Sequence, residues 1–309
     1  MTKLYGSLEE VRRTSRTNTL HSRYLSIDEA CLDRLNESFA TIPRPLASIP
    51  SPIMEMSYPQ QVGLILMFGC INYCFVDPGT MTDYIYDSEG KKVKRSGGVI
   101  CALTKSSFDW SDLSSLSQVT RDEWRTVLQL NRSGVVLFDD EERVRRLQTM
   151  AAYLNEKVKY ISKFFDIYAN ANAVHELLHE SGLFDDVFHK RCQIVLLWLG
   201  IVASDANIAF DLKKDLLTAM ADYRLPQTLC HLGVIRLTPE GEELLRNEIT
   251  DREFERDMRS AAIEICSRIA FATGMSSADV DTILWNLSQD LIASGAMSVP
   301  AMRVVTRSY

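Results

Sequence analysis

The sequence predicts a mainly α-helical protein with a minor β-hairpin or a few short strands. Apolar residues recur every three or four positions through most of the chain, whereas strand patterns are few and short. Sequences of the form Ser/Thr-x-x-Glu mark helix starts, because the first and fourth side chains bond each other's backbone N–H groups. This form occurs at Ser7, Ser26 and Thr120, so we expect helices to begin near all three.

The strongest helical pattern covers 140–165, where apolar residues recur at steps of three and four and the opposite face carries Glu, Arg and Lys. It predicts one long amphipathic helix, broken at most once. Pro239 suits the first turn of a later helix, and Gly274 suits the position after its end. Further helices are predicted over 173–181, 189–203, 211–220, 238–272 and 277–292.

Strand signals are limited to 83–94, which the sequence leaves open as a hairpin or an exposed loop. The stretch 42–60 contains five prolines and is predicted to be an irregular surface connection. No repeat and no flexible linker divides the chain. We therefore expect one domain over 1–309, with two helical lobes around a central cleft as an alternative.

Charge and composition exclude several classes of function. The net charge of -7 repels polyphosphate chains, so long nucleic acid is a poor ligand, whereas one phosphate monoester needs only one or two cations. The seven cysteines form no CxxC pair and are typical of reduced thiols in a cytoplasmic protein. No apolar run approaches the ~20 residues that span a bilayer. No membrane association and no obligate protein partner is predicted.

The chain has no Gly-rich phosphate loop and no GxSxG, whereas HELLH at 175–179 has the H-E-x-x-H form. His175 and His179 are four residues apart on a predicted helix and could bind a metal ion. They lack a nearby third ligand, so a solvated helix face is the preferred interpretation. No cofactor and no metal site is predicted.

The segment 216–227, LLTAMADYRLPQ, departs from local rules. It predicts an apolar helix that ends near Asp222, and a second helix from Pro226 to Gly233. A carboxylate at a helix C-terminus meets the unfavourable end of the macrodipole. Either Arg224 pairs with Asp222 and ties the corner together, or the corner is a functional site, since sites are often found where local rules fail.

The same segment carries a resemblance to a known family. ADYRLPQ at 221–227, followed by LGV at 232–234, resembles the FADYR(V/I)PQ...LG signature of the queuosine salvage proteins. The other matching segments are VFHKRCQ at 187–193 (FYKRAQ in the family), INYCF at 71–75 (LNF(S/C)F), and ERDMR at 255–259 (EVEIR). The matches follow the family's order from His21 to Asp281 and Trp285. Gly69 and Val76 depart from it, standing where the family has an acidic residue and a Trp.

The resemblance implies a single queuosine-salvage domain with a helical fold similar to that of helix-hairpin-helix DNA glycosylases. It also implies hydrolysis of the N-glycosidic bond of queuosine 5'-phosphate, which releases queuine for salvage into tRNA modification. Asp222 is the predicted catalytic carboxylate, with Lys190 beside it. The predicted substrate contacts are His21, Asn72, Tyr73, Phe75, Arg191, Tyr223, Arg224 and Gln227.

Residue chemistry suggests how the contacts divide. Arg191 and Arg224 are candidate phosphate ligands, because a guanidinium fork matches phosphate oxygens, although either would also serve as a structural ion pair. Asn72 is a candidate for the base edge and the nearby aromatic rings for its face, with core filling as the alternative. For Trp285 core packing is the preferred interpretation.

Two other functions stay open. One is a glycosylase that acts on damaged DNA, which the acidic balance and the missing Gly-rich hairpin disfavour. The other is a non-catalytic helical module that binds a modified base or a partner protein.

Overall fold

Helices make up most of the chain in the computed structural model, which describes residues 3–45, 48–133, 136–247, 251–302 and 306–307. The predicted mainly α fold with minor strands is confirmed, while the likeness to DNA glycosylases stays a prediction. By its contacts the chain divides into two compact units. The first unit comprises Met1–Ala47, Val187–Lys190 and Lys213–Val304; the second comprises Ser48–Asp186, Arg191–Leu212 and Val305–Tyr309. The single-domain prediction stays untested.

The elements of the described residues follow in chain order. The helices are α1 (Lys3–Leu20), α2 (Glu29–Ala40), α3 (Ser51–Met54), α4 (Tyr58–Ile71), α5 (Arg95–Thr104), α6 (Leu113–Leu116), α7 (Arg121–Val127), α8 (Leu130–Ser133), α9 (Asp140–Val158), α10 (Phe164–Ile167), α11 (Ala171–Glu180), α12 (Lys190–Asp205), α13 (Arg224–His231), α14 (Pro239–Arg246), α15 (Arg252–Thr273) and α16 (Ser277–Ala293). Single 3-10 turns lie at Ile161–Lys163 and Lys214–Leu216. The strands are β1 (Leu25–Ile27), β2 (Ile85–Ser88), β3 (Lys91–Lys94) and β4 (Ile235–Leu237).

The first unit is built around α15, which packs against α1, α2, α13 and α16. Its central residues are apolar and buried, among them Met258, Ile263 and Ile265. Strands β1 and β4 pair antiparallel, with Ser26 opposite Arg236. The unit therefore places α13 and α16, the two helices that matter most for the site, on a common apolar core.

The second unit is built on α4 and α9, which pack against each other. Helix α4 is apolar on nearly all sides, as expected for a helix that a core surrounds. Strands β2 and β3 form an antiparallel hairpin, which confirms the hairpin alternative for 83–94. Glu89 and Gly90 at its turn both have positive φ, which a tight two-residue hairpin turn requires.

Two of the three predicted helix starts are corrected. Ser7 lies inside α1, which begins at Lys3. Ser26 pairs within β1, and the residue that caps α2 is Asp28, whose carboxylate accepts the N–H of Cys31 at 2.8 Å. The third prediction is confirmed: Thr120 and Glu123 form a reciprocal capping box at the start of α7.

We expect Thr120→Ala to lower the free energy of unfolding by about 1 kcal/mol, because it removes the acceptor for the Glu123 N–H. Chemical denaturation measures the change. Thr126→Ala is the matched control: Thr126 is exposed inside the same helix, where alanine is neutral or slightly favourable. Equal losses in the two variants would contradict the capping role.

The other helix predictions have mixed outcomes. The pattern over 140–165 forms α9, a 3-10 turn and α10, with the single break at Lys159, whose φ is 63°. The predicted helices over 173–181, 189–203 and 277–292 are confirmed as α11, α12 and α16, and Pro226 lies in the first turn of α13. The prediction over 238–272 is wrong as one helix, since Asp251 caps a separate α15; residues 248–250 lie outside the described residues.

The predicted helix over 211–220 is wrong, because only Lys214–Leu216 is helical there. Partners from distant elements hold this backbone instead. Arg12 of α1 donates to the carbonyl oxygens of Leu216 and Leu217 at 2.7 and 3.0 Å. Asp281 of α16 accepts the N–H of Met220 at 3.1 Å. These bonds replace the i to i−4 bonds of a helix.

The proline-rich stretch 42–60 is irregular only in part, because it contains α3 and the start of α4. Each of these two helices has a proline in its first turn. The backbone N–H groups of a first turn have no partner within the helix, so a proline, which lacks an N–H, is tolerated there. Residues 46 and 47 lie outside the described part of the chain. Within the described ranges, no helix has both the length and the apolar character to cross a bilayer.

Candidate functional site

Asp222 lies directly before a helix, and the prediction that it follows a helix C-terminus is wrong. Residues 217–221 are buried and lie in neither a helix nor a strand, and α13 begins two residues after Asp222. The Oδ1 atom of Asp222 accepts the backbone N–H of Arg224 at 2.7 Å. The carboxylate therefore faces the positive end of the helix dipole.

Lys190 pairs with this carboxylate. Its Nζ lies 3.8 Å from Asp222 Oδ2, and the two side chains are 9% and 17% exposed. Lys190 is the first residue of α12 and follows His189, whose φ of 53° is left-handed. One carboxylate oxygen thus bonds a helix N–H and the other faces an ammonium group. This arrangement orients the carboxylate.

A second carboxylate approaches the same segment. Asp281 projects from α16, is 8% exposed, and accepts the Met220 N–H. Burial and the neighbouring negative charge of Asp222 raise the pKa of Asp281 to about 7, opposed by Lys190 and by the Met220 N–H. In the sequence, the signal that singles out Asp281 is its match to the C-terminal pattern of the family.

Arg259 of α15 is another residue that the predicted site lacked. Its Nε donates to the carbonyl oxygen of Ala221 at 2.9 Å. Its guanidinium carbon lies 4.4 Å from the ring centroid of Phe188, and Nη1 lies 3.6 Å from Glu255. Arg259 therefore contacts the residue before Asp222 and a residue close to Lys190. Its position in the ERDMR match at 255–259 was the only sequence signal.

The remaining residues of the corner bond one another. The guanidinium of Arg224 donates to Gln227 Oε1 at 2.8 Å and lies 4.8 Å from the ring centroid of Tyr223. Gln227 Nε2 donates to the carbonyl oxygen of Val299 at 2.7 Å. Arg224 thus reaches Asp222 through its backbone, while its side chain binds Gln227. The predicted substrate contacts of Tyr223, Arg224 and Gln227 stay predictions, as does that of His21, which is exposed just after α1.

Asn72, Tyr73 and Phe75 belong to the second unit. Asn72 follows the last residue of α4, and the two rings are buried. The guanidinium carbon of Arg143 lies 4.0 Å from the Tyr73 ring centroid and 4.5 Å from that of Phe75. Burial lowers the pKa of Arg143 to about 10. The rings therefore pack against a buried arginine, and their predicted contact with a base stays a prediction.

Arg191 is buried in the same unit and binds the end of α4. Its Nη1 donates to the carbonyl oxygens of Gly69 and Cys70 at 3.2 and 3.1 Å, and Nη2 donates to Asp185 at 3.1 Å. Burial lowers the pKa of Arg191. A Cβ on Gly69 would lie 2.3 Å from Val195 Cγ2, so the family's acidic residue has no room here. Phosphate binding by Arg191 stays a prediction.

Two further interpretations are corrected. His175 is 3% exposed, so it does not lie on a solvated helix face, although His179 does. Trp285 is 45% exposed, and the prediction that it packs in the core is wrong. Among the described residues, no group of three or more His, Cys, Asp or Glu side chains is arranged to hold a metal ion.

Comparison with known proteins identifies relatives over most of the chain. Residues 54–309 match the family described as queuosine salvage protein. A protein of Sphaerobacter thermophilus is 30% identical over 276 residues, which cover 79% of this chain and 80% of the relative. A protein of Dictyostelium discoideum is 25% identical over 250 residues, covering 74% of this chain and 73% of the relative. Both relatives are named queuosine 5'-phosphate N-glycosylase/hydrolase.

Proposed function

The chain belongs to the queuosine salvage protein family, and from this premise we propose that it is an N-glycosidase that hydrolyses queuosine 5'-phosphate to queuine and ribose 5-phosphate. The observation that carries the proposal is the shielded pair of Asp222 and Lys190, with Nζ 3.8 Å from Oδ2. The names of the two relatives support the choice of substrate. We expect the protein to act in the cytoplasm, as a single domain, on a small molecule whose base then returns to tRNA modification.

The physical reason lies in the charge of the transition state. Cleavage of an N-glycosidic bond by water gives the sugar oxocarbenium character, and a preplaced carboxylate stabilises a charge that exists only then. Queuine is a 7-deazaguanine and has no N7 to protonate, so support of the sugar cation carries more of the reaction. Asp222 supplies that carboxylate and accepts the proton of the attacking water. Lys190 and the Arg224 N–H orient it.

The substrate contacts are proposed on the resemblance and on side-chain chemistry. Arg191 and Arg224 are assigned to the 5'-phosphate, and Asn72 with Tyr73 and Phe75 to the base. The remaining assigned contacts are His21, Tyr223 and Gln227.

A chromatographic assay tests the proposed function. Purified protein is incubated with queuosine 5'-phosphate, and queuine and ribose 5-phosphate are quantified. We expect the two products in equal amounts. Saturable binding without product would favour a non-catalytic module instead, and base release from damaged duplex DNA, with a steep salt dependence of binding, would favour a DNA glycosylase.

We expect Lys190→Met to lower kcat/KM about 100-fold, because the carboxylate of Asp222 loses its neighbouring cation. Steady-state kinetics measure the loss. Lys214→Met is the matched control, since Lys214 also pairs with a buried aspartate of the first unit, Asp279, at 2.5 Å. Its kcat/KM should stay close to that of the wild type. Comparable losses in both variants would mean that any broken Lys–Asp pair has this effect, which would contradict the role of Lys190.

A further inference from the structure

Asp281 is a buried carboxylate that the proposed reaction does not yet use. Its carboxylate, on α16, accepts the N–H of Met220 at 3.1 Å, in the non-helical segment before Asp222. Met220 precedes Asp222 by two residues. A change in this bond therefore moves the backbone that carries the catalytic carboxylate.

The charged and titratable groups around Asp281 leave its charge only partly compensated. Asp222 and Lys190 face it from the site. From α15 it faces the thiol of Cys266, whose pKa is raised by burial and by the charge of Asp281. On its own helix Asp279 bonds Lys214 and Ser276, which hold the pKa of Asp279 below its usual value although burial opposes them. Lys190 thus pairs with Asp222 and also lowers the pKa of Asp281.

We propose that Asp281 is a positioning residue of the glycosidase: it fixes the Met220 to Asp222 backbone, and its ionisation adds a second negative charge that strengthens the site toward the sugar cation. This inference rests on the proposed function. When Asp281 is protonated, the positive charge of Lys190 and the negative charge of Asp222 cancel. When Asp281 is ionised, the three side chains carry one net negative charge. Since burial and Asp222 raise its pKa to about 7, this change falls in the neutral range.

The sign of the pH dependence follows. Activity should rise as pH increases through about 7, because the ionised form is the one that stabilises the cation. The stability of the fold should change in the opposite direction. When folding raises the pKa of a carboxyl group, that group holds its proton more tightly in the folded protein than in the unfolded chain. The stability that Asp281 contributes is therefore lost as pH rises from about 4 to about 7. Asp222 and Asp281 interact, so the rising limb of the pH–rate profile reports the ionisation of the pair and not of one residue alone.

The experiment compares kcat/KM from about pH 5 to about pH 9 for the wild type, Asp281→Asn and Asp279→Asn. The asparagine at 281 can still accept the Met220 N–H but carries no charge. We expect it to lose the rising limb near neutrality and about tenfold of kcat/KM at the alkaline end. Asp279→Asn makes the same change on the same helix and should keep the limb. The second ionisation of the substrate phosphate, near pH 6, is common to all three proteins and cancels in the comparison.

The outcomes separate this inference from the proposed function. A wild type that releases no queuine refutes the function. A wild type that turns over while Asp281→Asn keeps the same limb, or while Asp279→Asn loses it as well, overturns the role of Asp281. If Asp281→Asn does not fold, Asp281→Glu tests the same point: it retains the charge but displaces the Met220 contact, so the limb should persist at lower kcat, and an unchanged kcat would refute the positioning role.

Discussion

We expect Asp222→Asn to lower kcat for queuine release by about 1000-fold or more, with the fold intact. The amide keeps the shape of the side chain and an oxygen that can accept the Arg224 N–H. It removes the negative charge that would face the sugar cation, which is an interaction made in the transition state. A 1000-fold loss corresponds to about 4 kcal/mol of activation free energy. KM should change little, because the lost interaction is weak in the ground state.

Single-turnover assays of queuine release measure this loss. Asp215→Asn is the matched control: Asp215 is an exposed aspartate in the same segment, and its removal should leave kcat unchanged. Circular dichroism confirms that both variants are folded. A variant Asp222→Asn with kcat within about threefold of the wild type would contradict the catalytic role.

The largest expected effect on stability is at Arg143, whose replacement by Met should lower the free energy of unfolding by about 3 kcal/mol or more. The guanidinium is fully buried in the second unit and donates to four backbone carbonyl groups, those of Ile71, Tyr73, Cys74 and Phe138. Methionine fills part of the volume but donates no hydrogen bond. The buried carbonyl groups would then lose their donor.

Urea denaturation measures the change, with Arg145→Met as the matched control. Arg145 lies on the same helix, is 70% exposed, and pairs with Glu142. Exposed pairs of this kind contribute less than about 1 kcal/mol. A loss at Arg143 no larger than that at Arg145 would show that the buried clamp adds no net stability.

Local signals in the sequence predicted the local parts of the fold. The capping box at Thr120 and Glu123 and the helix over 277–292 depend on residues close in the chain, and the structure contains both. The helix predicted over 211–220 failed, because the backbone there bonds Arg12 and Asp281, which lie far away in sequence. No local pattern reports such partners.

The candidate site shows the same division. The family resemblance named Lys190 and Asp222, and the structure places Nζ and Oδ2 3.8 Å apart. The residues alone predicted that Asp222 lies at the C-terminal end of a helix, which is wrong because residues 217–221 before it are not helical. Asp281 and Arg259 were not predicted as site residues, because they are far from residues 220–221 in the sequence and contact them only when the first unit is folded.

The most direct test is the crystal structure of the Asp222→Asn variant with uncleaved queuosine 5'-phosphate bound. The slow variant preserves the substrate, and the distance from the side-chain oxygen of residue 222 to the anomeric carbon is measured. We expect a water between them, about 2.6 to 3.2 Å from the side-chain oxygen and about 3 to 3.5 Å from the anomeric carbon, the separations of groups poised to react. A distance beyond ~6 Å, with the sugar held by other residues, would contradict the account, because a carboxylate there is too far to act on the cleaved bond.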